Sequence, residues 1–327
     1  MHWRHCLEEQ TRMKHTLPAT LILASDAEAY LPFLQGLAAR GVELAVADTV
    51  DAALDVYCGQ TVVLGQPDLV AAALTEMPSV RWVQSSWAGV TPLLDLGRSD
   101  YMLTGVKDTF GAQMAEYVLS YVLANELKVF ERLGRQANHN WWDEPSGTLK
   151  GKTLGIMGTG SIGCYIAKVA QTFGMHIIGF SRNGAAVEGF DRVFAANQLG
   201  VFLAEPDYLV CVLPDTPGTR HLLDATAFRA MKNQCYLVNV GRGSLIDEKD
   251  LAAALVKGEL AGAVLDVFQD EPLPQDSPLW NAPGLIVTAH IAATSWPEDI
   301  AAIFRENYMR YIEGEPLKYR IDFEQGY

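Results

Sequence analysis

The run Leu154-Gly155-Ile156-Met157 passes directly into Gly158-Thr159-Gly160-Ser161-Ile162-Gly163 and then into an amphipathic helical stretch. A short apolar strand, glycines spaced GxGxxG and an immediate helix together imply a parallel α/β sheet that binds a dinucleotide. Gly158 allows the tight turn, Gly160 lets a pyrophosphate approach the backbone, and Gly163 permits close helix–strand packing. The free N–H groups at the helix start, at the positive end of its dipole, would hold that pyrophosphate. Gly158, Thr159, Gly160, Ser161, Ile162 and Gly163 are therefore candidate cofactor-binding residues. The competing possibility is a glycine-rich turn with no ligand; the strand before it and the helix after it weigh against that.

The rest of the chain repeats the same alternation. From Ala19, strand-like runs at Thr20–Leu23, Val42–Val46, Thr61–Leu64 and Val80–Gln84 are separated by helical segments at Ala27–Arg40 and near Asp68–Glu76. Five strand-like runs are counted in about a hundred residues, of which these four are placed. A helical stretch then runs from Gly111 to about Arg135. Its apolar residues Met114, Tyr117, Val118, Leu119, Tyr121, Leu123, Leu127 and Phe130 spread over more than one face, so it reads as a buried crossing that also offers subunit contacts. From Thr153 a second alternation places strands at Leu154–Met157, His176–Phe180, Tyr208–Val212, Tyr236–Val240, Ala263–Asp266 and Leu285–Thr288. Pro297–Gly314 reads as one more helix, returning to the first domain.

The expected fold class is thus α/β, with two doubly wound parallel-sheet domains. Residues 1–18 form an N-terminal extension, 19–109 with 297–327 a flavodoxin-like substrate domain, and 110–296 a Rossmann NAD(P)-binding domain. Met13 stands just before the first strand-like run, so the residues ahead of it are either a loose extension or an upstream start.

About twenty residues beyond the glycine turn, the second strand ends Gly179-Phe180-Ser181-Arg182-Asn183. A carboxylate there would bind the ribose 2′-hydroxyl of NAD, and none is present. A hydroxyl followed by a guanidinium suits the 2′-phosphate of NADP. Ser181, Arg182 and Asn183 are accordingly assigned to the cofactor, with NADP expected; if Arg182 is only a solvated charge, NAD is accepted as well.

Three further segments place polar residues at the carboxyl ends of strands, where ligands bind in doubly wound sheets. They are Asn239–Asp247, Leu265–Pro274 and Thr288–Thr294, and they carry Arg242, Glu271 and His290. Singly, each has a bland alternative: a surface charge, a loop acid, a hydrogen-bonded strand-end histidine.

Together, downstream of the glycine turn, these segments resemble the D-isomer-specific 2-hydroxyacid dehydrogenase family. The resemblance covers nearly the whole chain from about Thr20 and rests on the GRG, DVFxxEP and HIA stretches. Within the family the chain is similar to the glyoxylate- and hydroxypyruvate-reducing branch, in Trp82–Val90, Gln113–Tyr117, Asp266–Trp280 and the ending from Gly314. The resemblance implies NADPH-dependent reduction of a small 2-keto acid. Arg242 would grip the substrate carboxylate and polarise its keto oxygen, and His290 would be the general acid. Glu271 would hydrogen-bond His290, orient it and favour its imidazolium form. Asp266 would contact the nicotinamide carboxamide or support the cofactor pocket, where Leu213, Pro214, Thr219 and Val240 are also placed. Trp87, Ala88, Gly89 and Val90 would offer backbone N–H groups to the substrate carboxylate. Two departures flank the histidine: Ala289 where many members carry Pro, and Ala293 where Gly is frequent. Neither removes a reacting group.

The chain of 327 residues has a formal net charge of −14, which disfavours nucleic acid and anionic membranes as partners. Its five cysteines are scattered, with no CxxC pair, so neither disulfides nor a thiolate metal site is expected and a reducing cytoplasm fits. His139, His176 and His221 show no ligand spacing, so no metal is expected. A homodimer is the expected assembly. Trp87, Trp141, Trp142 and Trp296 either narrow a substrate pocket or serve as core and interface residues. The alternative function is an NAD(P)-sensing regulatory protein on a dehydrogenase scaffold, which would not need Arg242, Glu271 and His290 together.

Overall fold

A computed structural model describes residues 17–324 and 326 of the chain. Most of the N-terminal extension, including Met13 and Cys6, lies outside the described residues. The chain forms two compact units: one runs to Thr109 and resumes at Ser295, and the other is Phe110–Thr294.

The first unit contains β1 (Thr20–Leu23), β2 (Leu44–Ala47), β3 (Val62–Gly65), β4 (Trp82–Ser85) and β5 (Met102–Thr104). They pair in parallel in the order β2-β1-β3-β4-β5, the flavodoxin-like arrangement. β5 was not placed from sequence; Met102-Leu103-Thr104 offers only two apolar residues at a sheet edge. Helices cover both faces, so Leu21, Ile22 and Leu23 are all fully buried. The helix Pro297–Glu313 belongs to this unit. Its Phe304 stacks on Trp82 with ring centroids 5.3 Å apart, and Tyr311 lies 5.2 Å from the same ring. The Trp82 indole N–H donates to Thr104 Oγ1 at 2.9 Å, so the buried ring keeps its one polar atom satisfied.

The second unit contains β6 (Thr153–Met157), β7 (His176–Phe180), β8 (Arg192–Phe194), β9 (Tyr208–Cys211), β10 (Tyr236–Asn239), β11 (Gly262–Leu265) and β12 (Leu285–Val287). All are parallel, in the order β12-β11-β10-β9-β6-β7-β8. This is the doubly wound Rossmann order with one added strand, and it reverses direction between β6 and β9. Successive residues feed opposite faces: Leu209 and Cys211 enter one core cluster, Tyr208 and Val210 the other. The edge strand β8 was not anticipated: Arg192-Val193-Phe194 opens on a charge and offers two apolar residues, whereas the equally short β12 is the wholly apolar Leu285-Ile286-Val287.

The stretch expected to be one helix from Gly111 to Arg135 is two, Gly111–Glu126 and Val129–Ala137. Lys128, in the left-handed region at φ 54°, breaks it. Ala115, Val118, Leu119 and Val122 are buried, but the burial expected for Leu127 and Phe130 is not found; both are exposed, and Val129–Ala137 buries none of its residues. Among the described residues, no helix is long and apolar enough to cross a membrane.

Candidate active site

The glycine turn follows β6, at the point where the strand order reverses. Gly158 has φ 112°, and a Cβ there would lie 2.9 Å from Val212 O, so only glycine fits. At Gly163 a Cβ would fall 2.0 Å from Gly158 O. Gly160 differs: a Cβ there would meet nothing within 4 Å, leaving open space beside the turn. No side chain caps the helix Ser161–Gln171, so its first N–H groups face that space. The turn therefore fits a dinucleotide pyrophosphate. Thr159 completes the turn, Ser161 and Ile162 start the helix, and the Cys164 thiol donates to Thr159 O at 3.4 Å.

Ser181, Arg182 and Asn183 follow β7. Ser181 is partly buried and accepts from Gly184 N at 3.2 Å, whereas Arg182 and Asn183 are exposed. Leu213 and Pro214 follow β9; Thr219 closes their loop by donating from Oγ1 to Pro214 O at 2.7 Å. Val240, buried, follows β10. All these residues stand at the carboxyl edge of one sheet.

Arg242, Glu271 and His290 follow β10, β11 and β12 on the same edge. Glu271 Oε2 lies 2.8 Å from His290 Nδ1, and its Oε1 accepts from Phe268 N at 2.9 Å, which fixes the carboxylate plane. The loop is tied down further by Glu248, which accepts from Gln269 N at 2.8 Å. Burial draws the Arg242 guanidinium below its ordinary range, while the charges of Asp215 and Glu271 oppose that shift. Burial likewise works to raise the Asp215 carboxyl, but Arg220 and the charge of Arg242 override it and hold it low. The partly buried Arg242 guanidinium thus feels the charges of two carboxylates, one of them the partner of His290.

Asp266 is 1 % exposed, and its carboxylate is largely committed to the protein. Oδ1 accepts from Thr288 Oγ1 at 2.6 Å and from Ile291 N at 2.9 Å, while Oδ2 accepts from Ala292 N at 2.8 Å. Its main-chain oxygen accepts from His290 N at 2.8 Å. His290 has φ 55°, a conformation costing a side-chain-bearing residue about 1–2 kcal/mol. Asp266, bonded to three successive N–H groups around it, enforces that conformation.

Sequence reasoning missed the layer behind this. Tyr117 Oη lies 2.5 Å from Thr288 Oγ1. Gln113 clamps Thr294 twice, donating to its oxygen at 3.0 Å and accepting from its N–H at 2.9 Å. Burial pushes the Tyr117 phenol well above its usual range, so it stays a donor. Gln113 and Tyr117 are spaced i, i+4 on a helix, but no local pattern says which distant residues that face meets. Nothing in the sequence singles out Asp215 either.

Trp87, Ala88, Gly89 and Val90 belong to the first unit and follow β4. The Ser85 hydroxyl shapes their turn, donating to Trp87 O at 2.7 Å and accepting from Trp87 N at 3.0 Å. Val90 is buried; Trp87 and Ala88 are exposed. Trp141 and Trp296 are exposed too, whereas Lys128, Arg132 and Arg135 gather over the Trp142 ring. Among the described residues no group of three or more His, Cys, Asp or Glu is arranged to hold a metal. Cys211 and Cys235 are buried, which raises both thiols, Cys235 to about 12.

Residues 119–292 match the family model of the D-isomer specific 2-hydroxyacid dehydrogenase NAD-binding domain. Glyoxylate/hydroxypyruvate reductase A of Escherichia fergusonii is 34% identical over 224 residues, covering 68% of this chain and 72% of that protein. A D-isomer specific 2-hydroxyacid dehydrogenase family protein from Aeromonas salmonicida superposes with TM-score 0.88 at 41% identity, over 94% of this chain and 99% of that one. The NADPH-dependent glyoxylate/hydroxypyruvate reductase of Sinorhizobium meliloti, solved with NADP and sulfate, gives TM-score 0.84 at 30% identity, over 94% and 100%. With a glycine turn built for a dinucleotide and a histidine–carboxylate pair on the same sheet edge, the chain belongs to the D-isomer specific 2-hydroxyacid dehydrogenase family, and it is an NAD(P)-dependent oxidoreductase.

Proposed function

We propose that this chain reduces a small 2-keto acid of the glyoxylate or hydroxypyruvate kind to the D-2-hydroxy acid, using NADPH. The observation that carries the reading is Glu271, which bonds His290 at 2.8 Å while its charge acts on the Arg242 guanidinium. That arrangement suits an anionic substrate whose carbonyl gains a proton. Arg242 presents forked donors to the carboxylate and keto oxygen, in surroundings dry enough to strengthen them. His290, with Nδ1 engaged by Glu271, has Nε2 left to deliver the proton. The reduced nicotinamide, when bound, supplies the hydride. Gly158–Gly163 hold the pyrophosphate, and Leu213, Pro214, Thr219 and Val240 border the cofactor along the same edge.

The preference for NADPH rests on Ser181 and Arg182 where an acid would select NAD, and on NADP in the Sinorhizobium meliloti relative. Arg182→Asp is expected to lower the NADPH-to-NADH ratio of kcat/KM by roughly 10- to 100-fold, the worth of one charge-assisted contact. Steady-state rates with each cofactor measure it, and an unchanged ratio removes Arg182 from the 2′-phosphate site.

The deciding experiment is the initial rate of loss of reduced-nicotinamide absorbance, with glyoxylate, hydroxypyruvate and pyruvate each tested against NADPH and NADH. Fast NADPH oxidation with glyoxylate or hydroxypyruvate supports the proposal. NADPH binding without reduction of any acid favours the sensing protein instead.

The chain is further proposed to act as a homodimer in a reducing cytoplasm. Leu127, Phe130, Leu133 and Trp141 are exposed on and around a helix that buries nothing in its own chain, a surface suited to a second copy. Sedimentation equilibrium should give twice the monomer mass, and Leu133→Glu should shift it to the monomer.

A further inference from the structure

We infer that Tyr117 is a positioning residue for the general acid, holding the His290 segment through a hydroxyl chain that ends on the buried Asp266. The inference rests on the reading of His290 as that acid. The Thr288 hydroxyl donates its one proton to Asp266 Oδ1 at 2.6 Å. The Thr288 oxygen is then the acceptor at 2.5 Å, and the Tyr117 O–H is the donor. The chain has one direction: Tyr117 to Thr288 to Asp266.

Asp266 has little access to water, and its carboxylate takes its hydrogen bonds from neutral donors: the Thr288 hydroxyl and the N–H groups of Ile291 and Ala292. Those two amides immediately follow His290, whose own N–H is held by the Asp266 main chain. Loosening the hydroxyl end frees the carboxylate to turn, and the histidine loses the frame that enforces its left-handed backbone.

The helix grips this segment at two points. Gln113 and Tyr117 are one turn apart and share a face. Gln113 holds Thr294 and Tyr117 holds Thr288, so the two anchors bracket His290 on either side. A helix that needed Tyr117 only as filling would not require its hydroxyl. A phenol placed at hydrogen-bonding distance from a committed donor, at one end of a splint around the acid, has a directional task. General-acid efficiency depends on placement within fractions of an ångström, so the effect belongs in kcat rather than in binding.

The test uses Tyr117→Phe, Thr288→Val and Thr288→Ser in the full chain. Tyr117→Phe and Thr288→Val should each lower kcat about tenfold, with keto-acid KM and NADPH Kd within about twofold of the parent. The double variant should be no slower than either single one, since both break the same chain. Thr288→Ser keeps the hydroxyl and should retain at least half of the parent kcat. A parent-like kcat in Tyr117→Phe overturns the inference, as does equal loss in Thr288→Ser and Thr288→Val, which would assign the effect to the methyl group. Amide exchange of the peptide spanning Ala289–Ala293 decides the matter apart from turnover. It should quicken in Tyr117→Phe and Thr288→Val but not in Thr288→Ser, and unchanged exchange in Tyr117→Phe overturns the inference. If the parent reduces no keto acid, the functional reading fails, while the exchange result still judges the splint.

Discussion

Replacing His290 with alanine is expected to lower kcat for keto-acid reduction by about 10²- to 10⁴-fold, the span that one general acid contributes, while NADPH binds as before. The separation follows from where the ring sits. His290 follows β12, its Nδ1 engaged by Glu271, whereas the pyrophosphate turn follows β6. Alanine takes the left-handed backbone less readily than histidine but loses none of the three main-chain bonds to Asp266 that enforce it, so the fold should survive. Steady-state rates and a fluorescence titration with NADPH separate the two quantities. Turnover that persists would assign the proton to another group.

The second large effect is expected at Arg242. Arg242→Ala should reduce kcat/KM for the keto acid by about 10²- to 10⁴-fold, with losses in both KM and kcat. Two charge-assisted contacts disappear, and the charges of Asp215 and Glu271 then act on an anionic substrate without the Arg242 cation to offset them. Arg242→Lys should recover little, because a point charge lacks the forked donors and hydrates more strongly. A KM increase with kcat intact would mean that Arg242 binds the carboxylate but does not stabilise the developing oxyanion.

Much of this architecture was open to reading from residues. The glycine spacing between β6 and its helix announced the sheet, and the missing acid after Phe180 announced the cofactor question. Strands buried on both faces, such as Leu21–Leu23, read as plain apolar runs. What escaped had physical reasons. β5 and β8 are short edge strands with only two apolar residues each, whereas the equally short β12 is apolar throughout and was read. The break at Lys128 turns on a left-handed residue that is not glycine, so no small side chain marks it. The task of Asp266 as a hub was only half visible: the family resemblance implied a contact with the nicotinamide or support of the pocket, but its bonds to Thr288, Ile291 and Ala292 span more than twenty residues and leave no local pattern. Gln113 and Tyr117 carried part of the family resemblance, but their bonds to Thr294 and Thr288 escaped for the same reason.

The chain leaves the first unit at Thr109 and returns only at Ser295, and that interruption bears on how the molecule is born. On the ribosome, β1 to β5 emerge first, yet the Trp82 ring waits for Phe304, Tyr308 and Tyr311, which are made near the end. At ~5–20 residues per second the intervening stretch takes on the order of tens of seconds. The nucleotide-binding unit, continuous in sequence, can complete itself during that delay. The earlier-made half is therefore the later to mature, and a nascent chain stalled before Pro297 would expose an unfinished aromatic face to chaperones and proteases.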